Sequence, residues 1–241
     1  RAPHHTISDI ALIGGGSFPH PGEISLACNG VLYLDELPEF KRSVLEVMRQ
    51  PLEDRKITIS RARSSVDYPA NFMLIASMNP CPCGYYNHPS RECTCPPGAV
   101  QKYFSKISGP LLDRIDMHIE VVPVELDKLS GFQETESSSC IRERVIQARS
   151  IQTERFKNYP GIYCNAQMNS TLLKKYCPLD TDCLTLLKAA MQKFGLSARA
   201  YDRIIKLART IADLAHSEKL LPCHIAEAIQ YRSLDKECWG R

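Results

Sequence analysis

The run Gly30-Val31-Leu32-Tyr33-Leu34-Asp35-Glu36 is short, apolar and closed by two adjacent carboxylates. Its length and β-type residues predict a buried strand. Such a strand carries Asp35 and Glu36 to the carboxyl edge of a parallel sheet. There an Asp helps to hold Mg²⁺ and a Glu orients the water that attacks a γ-phosphate, the arrangement known as a Walker B site. The companion phosphate-cradling string GxxxxGK[ST] occurs nowhere in the 241 residues. The sequence therefore reads as the hydrolytic half of a nucleotide motor without its phosphate cradle.

Downstream, Leu37 to about Asp54 has the 3- and 4-residue apolar spacing of a helix. Ile57 and Ile59, then Val66 and Tyr68, alternate with polar residues and predict a hairpin with Arg61 and Arg63 near its tip and Lys56 at its base. Asn71–Ser77 is a second buried-type strand leading to Asn79. A helix is expected near Ala99–Ile107, and Asp116–Val122 reads as a third strand. Strands separated by helices imply an α/β core with a mostly parallel sheet. Upstream, Ile13–Gly22 holds so much Gly and Pro that an irregular insertion loop is expected; no Lys-Ser/Thr follows to make it a phosphate loop.

Composition turns to Ser, Glu, Thr and Gly between Leu129 and Cys140, which marks a linker. Beyond it the chain reads as helical. Ile141–Lys157 is one helix and Thr181–Phe194 another, closed by Gly195. Ser197 caps the next, with Ile204, Ala208, Ile211 and Ala215 on one face. Pro222 opens the last, which ends near Ser233. The expected domains are a core over 1–130, a linker over 131–140 and an all-α domain over 141–241.

A net charge of +3 is too mild to announce nucleic-acid binding by itself. No apolar run approaches the ~20 residues that span a bilayer. Eleven cysteines, an odd number, argue against a secreted disulfide framework and for reduced thiols in a cytoplasmic protein. Four of them, Cys81, Cys83, Cys93 and Cys95, form two C-x-C pairs, a set that fits a tetrahedral structural Zn²⁺ site. Free thiols, or His88 in place of one cysteine, are the alternatives. A chain that starts at Arg1 and lacks the phosphate loop is expected to be a piece of a longer protein.

Asp35-Glu36, Asn79, the run Gly109-Pro110-Leu111-Leu112-Asp113-Arg114-Ile115-Asp116, and Ser197-Ala198-Arg199 follow one another in the order used by AAA+ ATPases. The sequence resembles their magnesium-chelatase-like branch, within it the ComM/YifB family of bacterial proteins. The strings RAPHHTIS, PGEISLACNGVLYLDELPEF, SMNPCPCGYYNHPSRECTC and SGPLLDRID carry the resemblance over essentially the whole chain. It implies a partial AAA+ P-loop NTPase core followed by a helical lid, in a hexameric, ATP- and Mg²⁺-dependent helicase that promotes branch migration on DNA. A Lon-protease-like domain and the phosphate loop would lie upstream, so this piece alone should not turn ATP over.

By the same resemblance, Asp35 partners Mg²⁺ and Glu36 polarises the attacking water. Asn79 is the sensor that bonds the water and the γ-phosphate. Arg114 is the finger that reaches a neighbouring subunit's nucleotide, and Arg199 the phosphate sensor of the lid. The hairpin with Lys56, Arg61 and Arg63 projects into the ring's pore, where it tracks DNA phosphates. Blander readings stay open. Asp35-Glu36 could be an acidic helix start, and Asn79 a turn residue before Pro80. Arg114 could pair with Asp113 or Asp116, Arg203 or Arg209 could replace Arg199, and the hairpin could be a charge-protected edge. Two rival functions also stand: a motor subunit that serves a metal-insertion partner, and a non-enzymatic interaction module.

Overall fold

A computed structural model describes residues 1–61, 64–123 and 136–232, with the side chains of Arg61 and Ser64 outside the description. The chain divides into two compact units, Arg1–Ile115 and a second that begins at Asp116. Each is described by itself.

In the first unit, β1 (Gly14–Gly15) pairs antiparallel with β2 (His20–Pro21). Residues β3 (Val31–Leu34) and β6 (Met73–Ala76) form a parallel pair, with Leu34 opposite Ala76. Between them in sequence, β4 (Lys56–Arg61) and β5 (Ser64–Pro69) form an antiparallel hairpin in which Lys56 faces Pro69 and Arg61 faces Ser64. The hairpin expected from the alternation is therefore present; its tip, Ala62-Arg63, lies outside the described residues. The other edge of β3 is also engaged. The Arg1 amine donates to Val31 O at 2.8 Å, and Tyr33 N donates to Arg1 O at 2.8 Å. Backbone groups alternate sides along a strand, so Arg1 flanks β3 opposite β6.

Side chains alternate as well. Leu32 and Leu34 are fully buried, whereas Val31, Tyr33, Met73 and Ile75 lie exposed on the other face. The buried face rests on Leu12, Ile24, Val44, Leu45 and Met48. These come from α1 (Asp9–Ile13), α2 (Glu23–Leu26), α3 (Arg42–Val47) and the turn that follows it.

Three expectations are corrected here. The single helix over Leu37–Asp54 is a 3₁₀ turn (Leu37–Glu39), α3 and α4 (Arg49–Asp54). Pro51 has no N–H to give and its ring crowds the carbonyl four residues back, so the helix breaks at Met48. The Gly-rich stretch is not irregular throughout: it forms the small β1–β2 hairpin. Gly14 has φ +100°, and a Cβ there would lie 2.3 Å from His20 O, so the glycine is a requirement of close backbone approach. The third strand is absent, because Asp116–Val122 has no regular structure and leaves Ile119, Val121 and Val122 exposed. A β-type run becomes a strand only by pairing, and no described residues pair with it as a strand.

After β6 come α5 (Ala99–Phe104) and α6 (Gly109–Leu112). The described part of the second unit is mostly helical. It holds α7 (Ser138–Phe156), α8 (Ser170–Tyr176), α9 (Thr181–Phe194), α10 (Ala198–Leu214) and α11 (Pro222–Gln230). Residues 131–135 of the expected linker lie outside the described residues, and Ser138–Cys140 already form the first turn of α7. Caps account for the boundaries. Asp180 accepts from Cys183 N at 2.8 Å and Ser197 accepts from Ala200 N at 3.2 Å. Gly195 closes α9 in the left-handed conformation, φ 60°. The core is Leu187, Ile204, Ile205, Ala208, Ala212 and Ile225 with their neighbours.

A polar knot ties α7 to α10. Asp213, with its side chain fully buried, accepts from Arg155 at 2.7 and 2.5 Å, from Arg209 Nε at 3.1 Å and from Asn165 Nδ2 at 2.8 Å. Among the described residues no helix is long and apolar enough to cross a membrane.

Candidate nucleotide and metal sites

The chain emerges from β3 and turns at once. Glu36 has φ 52° and ψ 50° and opens the 3₁₀ turn Leu37–Glu39. A non-glycine residue in the left-handed region costs free energy and is a frequent mark of a functional turn. The parallel register puts Asp35 beside Ser77, one step past β6. Ser77 Oγ donates to Asp35 Oδ1, and Glu36 N donates to the same oxygen at 3.0 Å. These donors, Ser77 first, hold the exposed Asp35 carboxyl below its ordinary range. Tyr33 Oη donates to Ser77 Oγ at 3.2 Å, so the serine is itself oriented. An anchored, ionised, accessible carboxylate suits a hard cation that keeps most of its waters.

Glu36 is exposed and reaches His5. His5 Nδ1 lies 3.4 Å from Glu36 Oε2. The His5 ring stacks on His4 with centroids 4.0 Å apart and meets Phe40 edge-on. Asn79 is exposed three residues beyond β6, in the connection to the cysteine loop. Beside its backbone N–H stands the Tyr103 phenol, whose pKa is raised by burial and by the charges of Glu39, Cys81 and Glu36, against the pull of that N–H. Asp35, Glu36 and Asn79 thus gather at the carboxyl edge of the parallel pair. Ser77 and His5 join them. Sequence reading missed Ser77 altogether and left the His4-His5 pair without a role.

Arg114 takes a different partner from those weighed above. Its guanidinium bonds Glu53 of α4 and donates to Pro110 O at 2.7 Å, with 9% of the side chain exposed. Neither flanking acid is that partner; Asp116 pairs with Arg203 instead. Arg199 is exposed in the first turn of α10. Its stated alternatives are occupied. Arg203 holds Asp116, and Arg209 is buried against Asp213 and donates to Glu218 O at 2.8 Å. In the hairpin, Lys56 lies 3.5 Å from Asp67, both side chains about half exposed, while the side chains of Arg61 and Arg63 lie outside the described residues.

The cysteine loop leaves directly from Asn79-Pro80. The Sγ atoms of Cys81, Cys83, Cys93 and Cys95 all lie within 4.8 Å of one another. Three separations are 3.3, 3.8 and 3.5 Å. Tetrahedral Zn–S₄ with bonds of about 2.3 Å requires S···S distances of about 3.8 Å, so the thiols fit the metal. Tyr86 N donates to Cys81 Sγ at 3.3 Å. The Tyr85 backbone N–H leads in bringing Cys83 down to about 5. At Cys95 a backbone N–H from Cys83 is outweighed by burial and by the adjoining sulfurs, and the thiol is pushed up to about 12. Four sulfurs so close cannot all ionise without a cation among them. His88 is engaged with Ser90 and is not one of the four.

The family model for magnesium chelatase, subunit ChlI, matches residues 1–129, and that for the ChlI C-terminal region matches residues 135–232. The chain belongs to the magnesium chelatase ChlI family. Within it, the chain is 46% identical over 235 residues to competence protein ComM of Haemophilus influenzae, covering 97% of this chain and 45% of that protein. It is 42% identical over 237 residues to the uncharacterized protein YifB of Salmonella typhimurium, covering 98% and 46%. To the magnesium-chelatase subunit ChlI of Mesostigma viride the identity is 23% over 181 residues, covering 68% and 42%. The ComM/YifB resemblance read from the sequence therefore holds. The chain spans about half the length of these curated relatives.

Proposed function

We propose that this chain is the hydrolytic core and helical lid of an AAA+ ATPase that remodels DNA as part of a longer, ring-forming protein. The observation that carries the reading is the tip of β3. An anchored Asp35, an accessible Glu36 on a strained turn and Asn79 stand together at the carboxyl edge of a parallel pair. Bound Mg²⁺ would neutralise phosphate charge there, with Asp35 as its carboxylate partner. Glu36 accepts a hydrogen bond from the attacking water and aligns it, and the Asn79 amide fixes the same water against the terminal phosphate. Arg114 and Arg199 supply positive charge to phosphates; Arg114 must first exchange Glu53 for its target. Zn²⁺ at the four cysteines is structural, since four thiolates leave no open position.

For DNA, the support is the Lys/Arg-bearing β4–β5 hairpin together with the kinship to a protein named for competence. Lys56, Arg61 and Arg63 meet phosphates there, so binding should weaken steeply with salt. The rival metal-insertion motor draws on the ChlI family itself; an intact protein that ignores DNA but binds a chelatase partner would establish it.

The test uses the full-length protein. Glu36→Gln should abolish turnover while nucleotide binding persists, because only the water's alignment is lost. Full hydrolytic rate in that variant would overturn the assignment. The 241-residue chain should show no turnover; turnover by the isolated chain would refute its dependence on an upstream phosphate loop.

A further inference from the structure

We propose that metal in the cysteine loop sets the position of Asn79, so that hydrolysis depends on a metal that never touches nucleotide. The inference rests on the reading of Asn79 and of the four-cysteine site given above.

The argument is one of chain connectivity. Only Pro80 separates Asn79 from Cys81, the one metal-ligating thiol that is fully buried. Proline fixes its own φ and restricts the residue before it, so the peptide from Asn79 to Cys81 is a short, stiff lever. The loop is compact at its start: Gly84 N donates to Cys81 O at 3.0 Å and Tyr86 N to Cys81 Sγ at 3.3 Å. Its far end, after Cys95, runs into α5, whose Tyr103 returns to the Asn79 backbone. Asn79, loop, α5 and Tyr103 therefore close a ring.

Between Cys81 and Cys95 the loop offers little apolar surface. Arg91, Glu92, Ser90 and Asn87 are exposed, and the aromatic contacts are Tyr85 with His88 and Arg91 on the surface. A loop without a core holds its shape through the cation that joins its sulfurs. With the cation removed, nothing joins the four sulfurs, the ring opens at Cys81, and the amide of Asn79 loses its fixed bearing on the water. The donors to Asp35 are Ser77, one residue past β6, and the N–H of Glu36, neither of them in the loop, so nucleotide binding should survive.

The experiment takes the full-length protein, purified with zinc, and strips it with a chelator under reducing conditions. Four measurements are made: bound zinc by a chromophoric chelator, hydrogen exchange of amides 77–86, binding of a fluorescent ATP analogue, and kcat and KM. Expected are one zinc per chain, faster exchange around Asn79 after stripping, near-unchanged analogue binding, and kcat lower by ~10- to 100-fold, the scale of a misplaced aligning group. Asn79→Ala should lower kcat comparably, and stripping that variant should add little. Restoring zinc should restore the wild-type rate only. Cys93→Ser provides a chelator-free version.

Complete zinc loss with unchanged kcat, or a stripping effect that multiplies fully on Asn79→Ala, overturns the inference. Absence of zinc from a protein with four reduced thiols overturns the metal reading. Unimpaired turnover of zinc-loaded Asn79→Ala overturns the reading of Asn79. The three failures are distinct.

Discussion

Arg209 and Asp213 offer the sharpest test of what is structural in the helical unit. Sequence pattern left Arg209 open as a phosphate sensor, whereas the structure buries it. Its side chain is 3% exposed and Asp213 0%, with Arg155 at 11%. In Asp213→Ala the acceptor shared by two guanidinium groups and the Asn165 amide disappears. Arg209 keeps the carbonyls of Ser217 and Glu218, and Arg155 keeps Asn165 Oδ1 at 2.8 Å. Breaking a buried pair from one side costs ~3–5 kcal/mol. Arg155 can rehydrate and Arg209 cannot, which places the cost near the lower bound, about 3 kcal/mol. With a urea slope of about 2 kcal/mol per molar, the transition of this unit should move down by roughly 1.5 M. Urea titration followed by far-UV circular dichroism reads the shift. Asp116→Ala, which removes the exposed partner of Arg203, is the control, expected to cost no more than about 1 kcal/mol. Equal shifts in the two variants would refute the buried-knot reasoning and return Arg209 to the list of phosphate ligands.

Two further outcomes are expected. Gly14→Ala forces a side chain into a positive-φ position, with its Cβ against His20 O; the first unit should lose about 2–3 kcal/mol, measured as a lower denaturation midpoint, and a neutral substitution would show that the β1–β2 hairpin does not form. Zinc affinity should fall as pH falls, because the bound form needs thiolates and protons compete. Cys83, at about 5, is already ionised at neutral pH while Cys95, at about 12, is not. Zinc binding at pH 7 should therefore release fewer than four protons per metal, a number calorimetry in buffers of different ionisation enthalpy reports.

The elements legible in the sequence are those whose signals are local. The β4–β5 hairpin followed from period-two alternation. Helix α9 was legible up to the Gly195 at its end, and α10 from Ser197 and the apolar face behind it. Each cap acts within four residues. The cysteine site was legible because C-x-C pairs fold back on themselves. What escaped was contact between distant parts of the chain. Ser77 meets Asp35 only through the β3–β6 register, 42 residues apart, and Glu53 meets Arg114 across 61. His5 meets Glu36 because Arg1 flanks β3. No residue type or spacing announces these pairs. The run Asp116–Val122 failed for the opposite reason: its composition is that of a strand, but a strand requires an edge to pair with, and local pattern cannot say whether one is present.

The two acids at the end of β3 are adjacent in sequence and opposite in circumstance, and this difference bears on their division of labour. Asp35 follows directly on β3, takes two donors on one oxygen and is kept ionised by them. Its position is fixed before any ligand arrives, as a metal partner's should be, since a preorganised carboxylate spends no ordering free energy at binding. Glu36 stands on a left-handed turn, is half exposed, and meets one side-chain partner in His5. A surface pair of this kind contributes little and is readily exchanged. In the role proposed for Glu36, exchange is what alignment of a water would demand, since the carboxylate would leave one partner for another. The same asymmetry recurs at Arg114, where a cis carboxylate holds a guanidinium that the reaction would require elsewhere. On the proposed assignment, the carboxylate meant for the cation is fixed by its donors, whereas Glu36 and Arg114, meant for the water and for a neighbour's phosphate, are each held by a partner they can give up.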